Sequence, residues 1–157
     1  MSVRAGVQTQ ELNRQISLLK HFPEVVEKHF RKMMAKNVAM LYSRIKSAVP
    51  VMTGNARSKF KKTLRGKGVN MQGKVGWWGA DAPWYINVVE YGAGPHVIEP
   101  RDPEGFLRLN GNRFVKKVDH PGLSARGFMA AGFSAMQPII NADLKAAGDA
   151  VVKELAL

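Results

Sequence analysis

Apolar residues at spacings of three and four run through both ends of this chain, and that pattern constrains its fold more than any other feature. Near the start, Val26, Phe30, Met33, Leu41, Ile45 and Ala48 form one stripe, with a gap near Asn37, while Lys28, Arg31, Lys32, Lys36, Arg44 and Lys46 take the opposite face. The spacing predicts a helix from Pro23, whose missing N–H suits a first turn, to the stop at Pro50. At the other end Phe133, Met136, Ile140, Leu144, Ala147, Val151 and Leu155 predict a second long helix, kinked or restarted at Pro138. The first of these, about 26 residues, is roughly 40 Å long at 1.5 Å per residue. A compact domain of this size is about 39 Å across. Part of that stripe is therefore expected to serve a neighbouring subunit.

Between the helices the period changes. Phe60, Lys62 and Leu64 share one side of a weakly alternating run, and Val69, Met71, Val75 and Trp77 alternate as in a strand, which turns Trp78 to the other face. Trp84, Val88 and Tyr91 share a helical face behind Pro83. Residues 96–101, 106–109 and 113–118 read as short strands, the last two joined by a hairpin at Gly111-Asn112. Either Thr53 or Asn55 suits the cap of a short helix. We expect an α+β domain, with a long N-terminal and a C-terminal helix packed on a small antiparallel β-sheet. It spans residues 23–157, preceded by a segment, 1–22, that holds a short helix (Leu12, Ile16, Leu19) over residues 9–21. Trp77 and Trp84 are expected in the core.

Charge divides the chain unevenly. The formal net charge is +12, and across residues 28–80 all thirteen charged side chains are basic. A stretch with no acid of its own points to an acidic partner, nucleic acid or protein. Lys59, Lys61, Lys62, Arg65 and Lys67 are the candidate contacts, and Trp78 is a candidate subunit-interface residue. A free nucleic-acid-binding protein using the basic segment 28–74 is the alternative function.

Chemistry is sparse. The chain has no cysteine, which excludes a thiol nucleophile, a thiolate metal site and a disulfide framework. No phosphate loop, paired-histidine metal motif or nucleophile elbow occurs. His96 with Glu99 and Asp119 with His120 are the one set that a small sheet can bring together as metal ligands, against the plainer reading that both histidines bond backbone in loops. No catalytic, cofactor or metal residue is assigned. No apolar run behind Arg4 suggests a secretory leader, and no segment has the apolar length of a membrane span.

The order of short motifs carries a resemblance. Ala48-Val49-Pro50 leads to Thr53-Gly54-Asn55-Ala56-Arg57; an aromatic segment closes on Glu90-Tyr91-Gly92; His120-Pro121-Gly122 precedes Arg126-Gly127-Phe128. The sequence resembles the tail-completion, or head–tail joining, proteins of long-tailed bacteriophages, the minor tail protein Z type included, although Gly127 stands where those proteins carry proline. The resemblance implies helices on a small antiparallel sheet, with Thr53, Gly54, Glu90, Tyr91, Gly92, Arg126 and Phe128 as structural motif residues. It further implies a non-enzymatic virion protein of the neck, assembled in the host cytoplasm into a ring of six. Its neighbours would be tail-terminator, tail-tube and head-connector proteins, with the end of the phage DNA in the lumen and no membrane contact.

Overall fold

A computed structural model describes residues 9–51 and 53–155. The α+β arrangement is as the periodicities predict. Helix α1 (Thr9–Ala48) and helix α4 (Phe128–Leu155) pack along one another, and the intervening chain supplies two short helices and three two-stranded ribbons. Among the described residues no helix is long and apolar enough to cross a membrane.

The predicted break at Pro23 is absent: α1 is one helix of 40 residues with the proline inside it. A proline costs a helix one backbone bond and a clash with the preceding turn. Here Pro23 is exposed, so water can satisfy the carbonyl it strands, and packing of the following stripe outweighs the local penalty. In α4 the chain likewise runs through Pro138, also exposed, without restarting.

The two long helices are antiparallel, pinned at three levels. Gly132 of α4 lies against Ile45, Lys36 pairs with Asp143 at 2.9 Å, and Glu154 meets Lys28 at 2.8 Å and His29 at 2.6 Å. The face of α4 agrees with the predicted one at Met136, Ala147 and Val151 and departs from it elsewhere. Phe128, Gly132, Met136, Ala147 and Val151 are buried, whereas Phe133 and Leu144, expected inside, are exposed. A helix crosses closest at its smallest residue, and an added Cβ on Gly132 would sit 2.6 Å from Ile45 Cγ1.

After Pro50 the chain turns through Gly54, whose positive φ of 79° makes it the residue that opens α2 (Asn55–Ser58). Gly54 rather than Thr53 or Asn55 takes the N-cap position, and the Thr53 hydroxyl accepts the N–H of Asn55, the first residue of α2, at 3.4 Å. Strands β1 (Lys61–Arg65) and β2 (Gln72–Gly76) then form an antiparallel ribbon that puts Lys62 opposite Val75 and Leu64 opposite Gly73. That face lies on α1, and at Gly73 a side chain would overlap Val38. A six-residue helix, α3 (Ile86–Tyr91), follows. Strand β3 (His96–Ile98) pairs with β6 (Val118–His120), and β4 (Leu107–Arg108) pairs with β5 (Phe114–Val115). Leu109 bonds to Arg113, so the hairpin loop has three residues, Asn110 to Asn112, and not the predicted two.

The core gathers where the C-terminal end of α1 meets α3 and the start of α4. Ile45, Val49, Ala56, Phe60, Ile86 and Phe128 are buried there, with Tyr42, Trp77 and Met129 packed against them. Tyr42 stacks on Phe60 (5.3 Å between centroids), Phe60 touches Trp77 (4.6 Å), and Trp77 meets Phe128 edge-on (6.1 Å). The Trp77 indole N–H donates to the Ala56 carbonyl at 2.7 Å, which satisfies its polar tip as a core tryptophan requires.

Candidate functional site

Two motif segments far apart in sequence, Glu90-Tyr91-Gly92 and Arg126-Gly127-Phe128, meet at one joint beside this core. Glu90, on the inner face of α3, is 6% exposed. Its Oε2 accepts the N–H of Met129 and its Oε1 that of Ala130, both at 3.1 Å. These are first-turn donors of α4 that have no partner inside the helix. A carboxylate at a helix N-terminus also meets the positive end of the helix dipole. Backbone bonds complete the joint, with Arg126 N–H donating to Val89 O and Gly127 N–H to Glu90 O, both at 3.1 Å. Gly92 ends α3 at a φ of 78°, and a Cβ there would lie 2.7 Å from the Leu123 carbonyl oxygen. Phe128 is the buried plug that begins α4. Thr53 and Gly54 line one small apolar cavity of about 230 Å³ together with Arg126 and with Val89, the residue before Glu90.

Outward from the joint lies an aromatic face. Trp84 is 85% exposed and Tyr91 79%, with Val88 between them on α3. This corrects the assignment of Trp84 to the core. The helical face shared by Trp84, Val88 and Tyr91 exists but points away from the molecule, because Ile86 and Glu90 occupy the inner side. A second cavity of about 370 Å³ lies under this face, lined by Lys74, Trp77, Trp84, Tyr91 and Met129 among others. Trp78, the sequence's candidate interface residue, is half-buried and has the Lys74 ammonium 5.1 Å from its ring centroid. Its exposure is far below that of Trp84.

The basic candidates divide by strand alternation. Lys61 and Arg65 lie on the outer face of the β1–β2 ribbon with Lys74, whereas Lys62 reaches over the Tyr42 ring (5.1 Å) on the inner side. Lys61 pairs with Asp81 at 3.0 Å. The hydrogen bond from Lys61 holds the Asp81 carboxyl below the ordinary carboxylate range, with Lys59 adding to the field. Arg65 and Lys67 are exposed near the turn of the ribbon. The segment that carries no acid in sequence is thus partly neutralised in space. Its counter-charges all come from outside the segment: Asp81, Asp143, Glu154, and Glu27, which binds Arg31.

His96 and His120 do face one another across β3–β6, with ring centroids 5.0 Å apart. His96 Nδ1 bonds to the Gly94 carbonyl at 2.9 Å, and His120 Nδ1 accepts the Gly122 N–H at 3.1 Å. The loop-orienting reading holds for both. Among the described residues, no three metal-ligating side chains of histidine, aspartate or glutamate come together.

At the far end of the molecule, α1 outruns its partners. Helix α4 ends level with Lys28 and His29, and the β1–β2 turn reaches Phe22 and Pro23 through Lys67, Gly68 and Asn70. Residues 9–21, roughly 20 Å of helix, extend past both. There Ile16 is exposed and Leu19 is 73% exposed, with Phe22 exposed at the edge. No sequence cue separated the buried part of the stripe from this uncovered part.

Compared with models of known families, with curated proteins and with solved structures, the chain matches none.

Proposed function

We propose that the chain is a structural subunit of a tailed-bacteriophage neck, a tail-completion protein that forms a ring, six copies in our reading, and joins the tail to the head. One observation carries the reading. Two of the segments that bear the resemblance, Glu90-Tyr91-Gly92 and Arg126 to Phe128, meet where Glu90 accepts the first-turn N–H groups of α4, and the third, Thr53-Gly54, borders a cavity that Arg126 also lines. Glu90 and the stretch from Arg126 to Phe128, scattered in sequence, thus fix α3 against α4. The apolar side chains left uncovered on α1 and α3 suit a subunit whose surfaces are completed by neighbours.

In this setting the protein is assembled in the host cytoplasm and ends in the virion, between tail-terminator, tail-tube and head-connector proteins. The outer face of the β1–β2 ribbon, with Lys61, Arg65 and Lys74, faces the DNA end or an acidic tail surface. The test is an early stop codon in this gene in the phage that carries it. Electron microscopy should then show filled heads and finished tails unjoined, with joining restored by adding the purified chain. Joined, infectious particles made without the protein would remove the reading.

A free nucleic-acid-binding protein is the second reading, favoured by Arg65 and Lys67, which are exposed and have no ion pair among the described residues. It requires duplex binding whose affinity falls steeply with salt and is lost on charge reversal at Lys59, Lys61, Lys62 and Arg65. Equal DNA retention by that variant counts against it.

A further inference from the structure

We infer that the hairpin formed by β4 and β5 binds single-stranded nucleic acid, with Phe106 and Phe114 as stacking platforms and Arg108 and Lys116 as phosphate contacts. Between Glu90 and Phe128, both buried, not one residue is buried. The chain leaves the core there as an arm of two ribbons, β3–β6 and β4–β5, and no third strand joins either. A lone two-stranded ribbon is marginally stable in water, so the arm contributes little to the fold and its surface is free to serve recognition.

The register sorts the hairpin by face. On one side Leu107 lies opposite Val115, both half-buried. On the other, Arg108 lies opposite Phe114, and one step toward the root Lys116 places its ammonium 4.5 Å from the Phe106 ring centroid. All four are exposed, Phe106 at 58% and Phe114 at 59%. Ring and cation therefore alternate along each strand and across the pair, at spacings of about 5–7 Å. The Arg108 guanidinium is already held in place. Its Nε donates to Gly111 O at 3.2 Å and its Nη2 to Asn112 Oδ1 at 3.4 Å, and the rest of its five N–H groups remain for an anion.

Charge selects the ligand. Residues 106–117 hold four bases, Arg108, Arg113, Lys116 and Lys117, and no acid. The arm's acids, Glu99, Asp102, Glu104 and Asp119, lie outside the hairpin, and Glu104 comes no nearer to Lys116 than 3.9 Å. An acidic protein surface would meet the cations but offers no matched partner for the two rings. A strand with unpaired bases brings a flat ring and a phosphate with every nucleotide, whereas a duplex keeps its base faces inside the stack. This surface is separate from segment 28–74, and it does not depend on the neck reading: particles that join without the protein would remove that reading and leave this contact standing.

Fluorescence anisotropy of the full-length chain with a labelled oligothymidine of about 12 nucleotides tests the assignment. Wild type should bind the strand and prefer it to a duplex of equal length. Phe106→Ala with Phe114→Ala should weaken binding on the order of 30-fold and leave the salt dependence unchanged. Phe106→Tyr with Phe114→Tyr keeps both rings and should bind as wild type does. Arg108→Gln with Lys116→Gln should weaken binding and flatten the slope of log affinity against log salt by about 1.4, two phosphate contacts' worth. Matching circular-dichroism melts confirm that each variant is folded. Arg65→Gln with Lys67→Gln, on the other ribbon, should keep the preference for single strands. No affinity for the strand, an alanine pair that binds as wild type does, a duplex bound as tightly as the strand, or polyglutamate bound as tightly as oligothymidine (an acidic protein partner) would each overturn the assignment.

Discussion

Replacing Glu90 should show how much of the fold hangs on one side chain. Its carboxylate accepts two backbone donors of α4, Met129 and Ala130, at 3.1 Å each, and hydrogen bonds to a charged group contribute about 1.5–3 kcal/mol apiece. The favourable end of the dipole of a 28-residue helix adds about 0.3–1 kcal/mol. In Glu90→Gln the amide oxygen keeps one donor through a neutral bond of about 1 kcal/mol, and the amide nitrogen faces the other N–H, which is left unpaired. With part of the carboxylate's desolvation cost regained, the expected loss is about 2–3 kcal/mol. For a chain of this length each kcal/mol lowers the melting temperature by about 2–4 °C, so the variant should melt roughly 5–10 °C below wild type. Glu90→Ala should lose more, since both donors are orphaned over a void. Glu99→Gln, at an exposed position, is the control and should melt with wild type. Hydrogen exchange should localise the effect, with protection lost first at the amides of Met129 and Ala130. A Glu90→Gln protein melting within a degree or two of wild type would refute the argument.

Further outcomes follow from the α1–α4 seam. Glu154 ionises below its ordinary value of 4.5, first because Lys28 donates to it and second because His29 does. A carboxyl whose folded value is lowered stabilises the fold above the ordinary value and loses that contribution as pH falls through the folded one. The urea midpoint of wild type should therefore drop below pH 4.5 by more than that of Glu154→Gln. Gly132→Ala should destabilise by about 1–3 kcal/mol in thermal melts despite the better helix propensity of alanine, because its Cβ meets Ile45 Cγ1. Asn37 is 4% exposed, and neither atom of its amide finds a protein partner. Asn37→Leu should raise stability by about 1–2 kcal/mol in urea unfolding, since an unpaired buried amide is costlier than an apolar group of similar shape.

The sequence made the long elements legible because periodicity reports which residues share a face. It does not report what that face meets. Trp84, Val88 and Tyr91 were correctly grouped, yet only the packing of Ile86 and Glu90 decides that the group points outward. Phe133 and Leu144 of α4 were misplaced for a related reason, although Met136, Ala147 and Val151 were not: hydrophobic pattern follows large residues such as Phe133, while the seam closes on Gly132, which carries no hydrophobic signal. Propensity overstated the break at Pro23, where solvent lies on the proline side. Charge runs were read along the chain, but Lys36 and Lys28 find Asp143 and Glu154 more than a hundred residues away. Glu90 stood out through the resemblance as a motif residue, and by itself only as an acid between Val89 and Tyr91. Nothing local says that it closes a helix beginning 38 positions later, at Phe128.

The short helix α3 divides its duties sharply by side. Inward, Ile86 is buried, Glu90 is committed to another helix, and Gly92 closes the helix in a place with no room for a side chain. Outward, Trp84, Val88 and Tyr91 are exposed to solvent, with Trp84 edge-on to the Tyr85 ring at 5.8 Å. Mutation can thus rewrite the outer letters to suit a different neighbour while the spelling of the domain stays unchanged, so recognition and foldedness can drift independently within seven or eight consecutive positions.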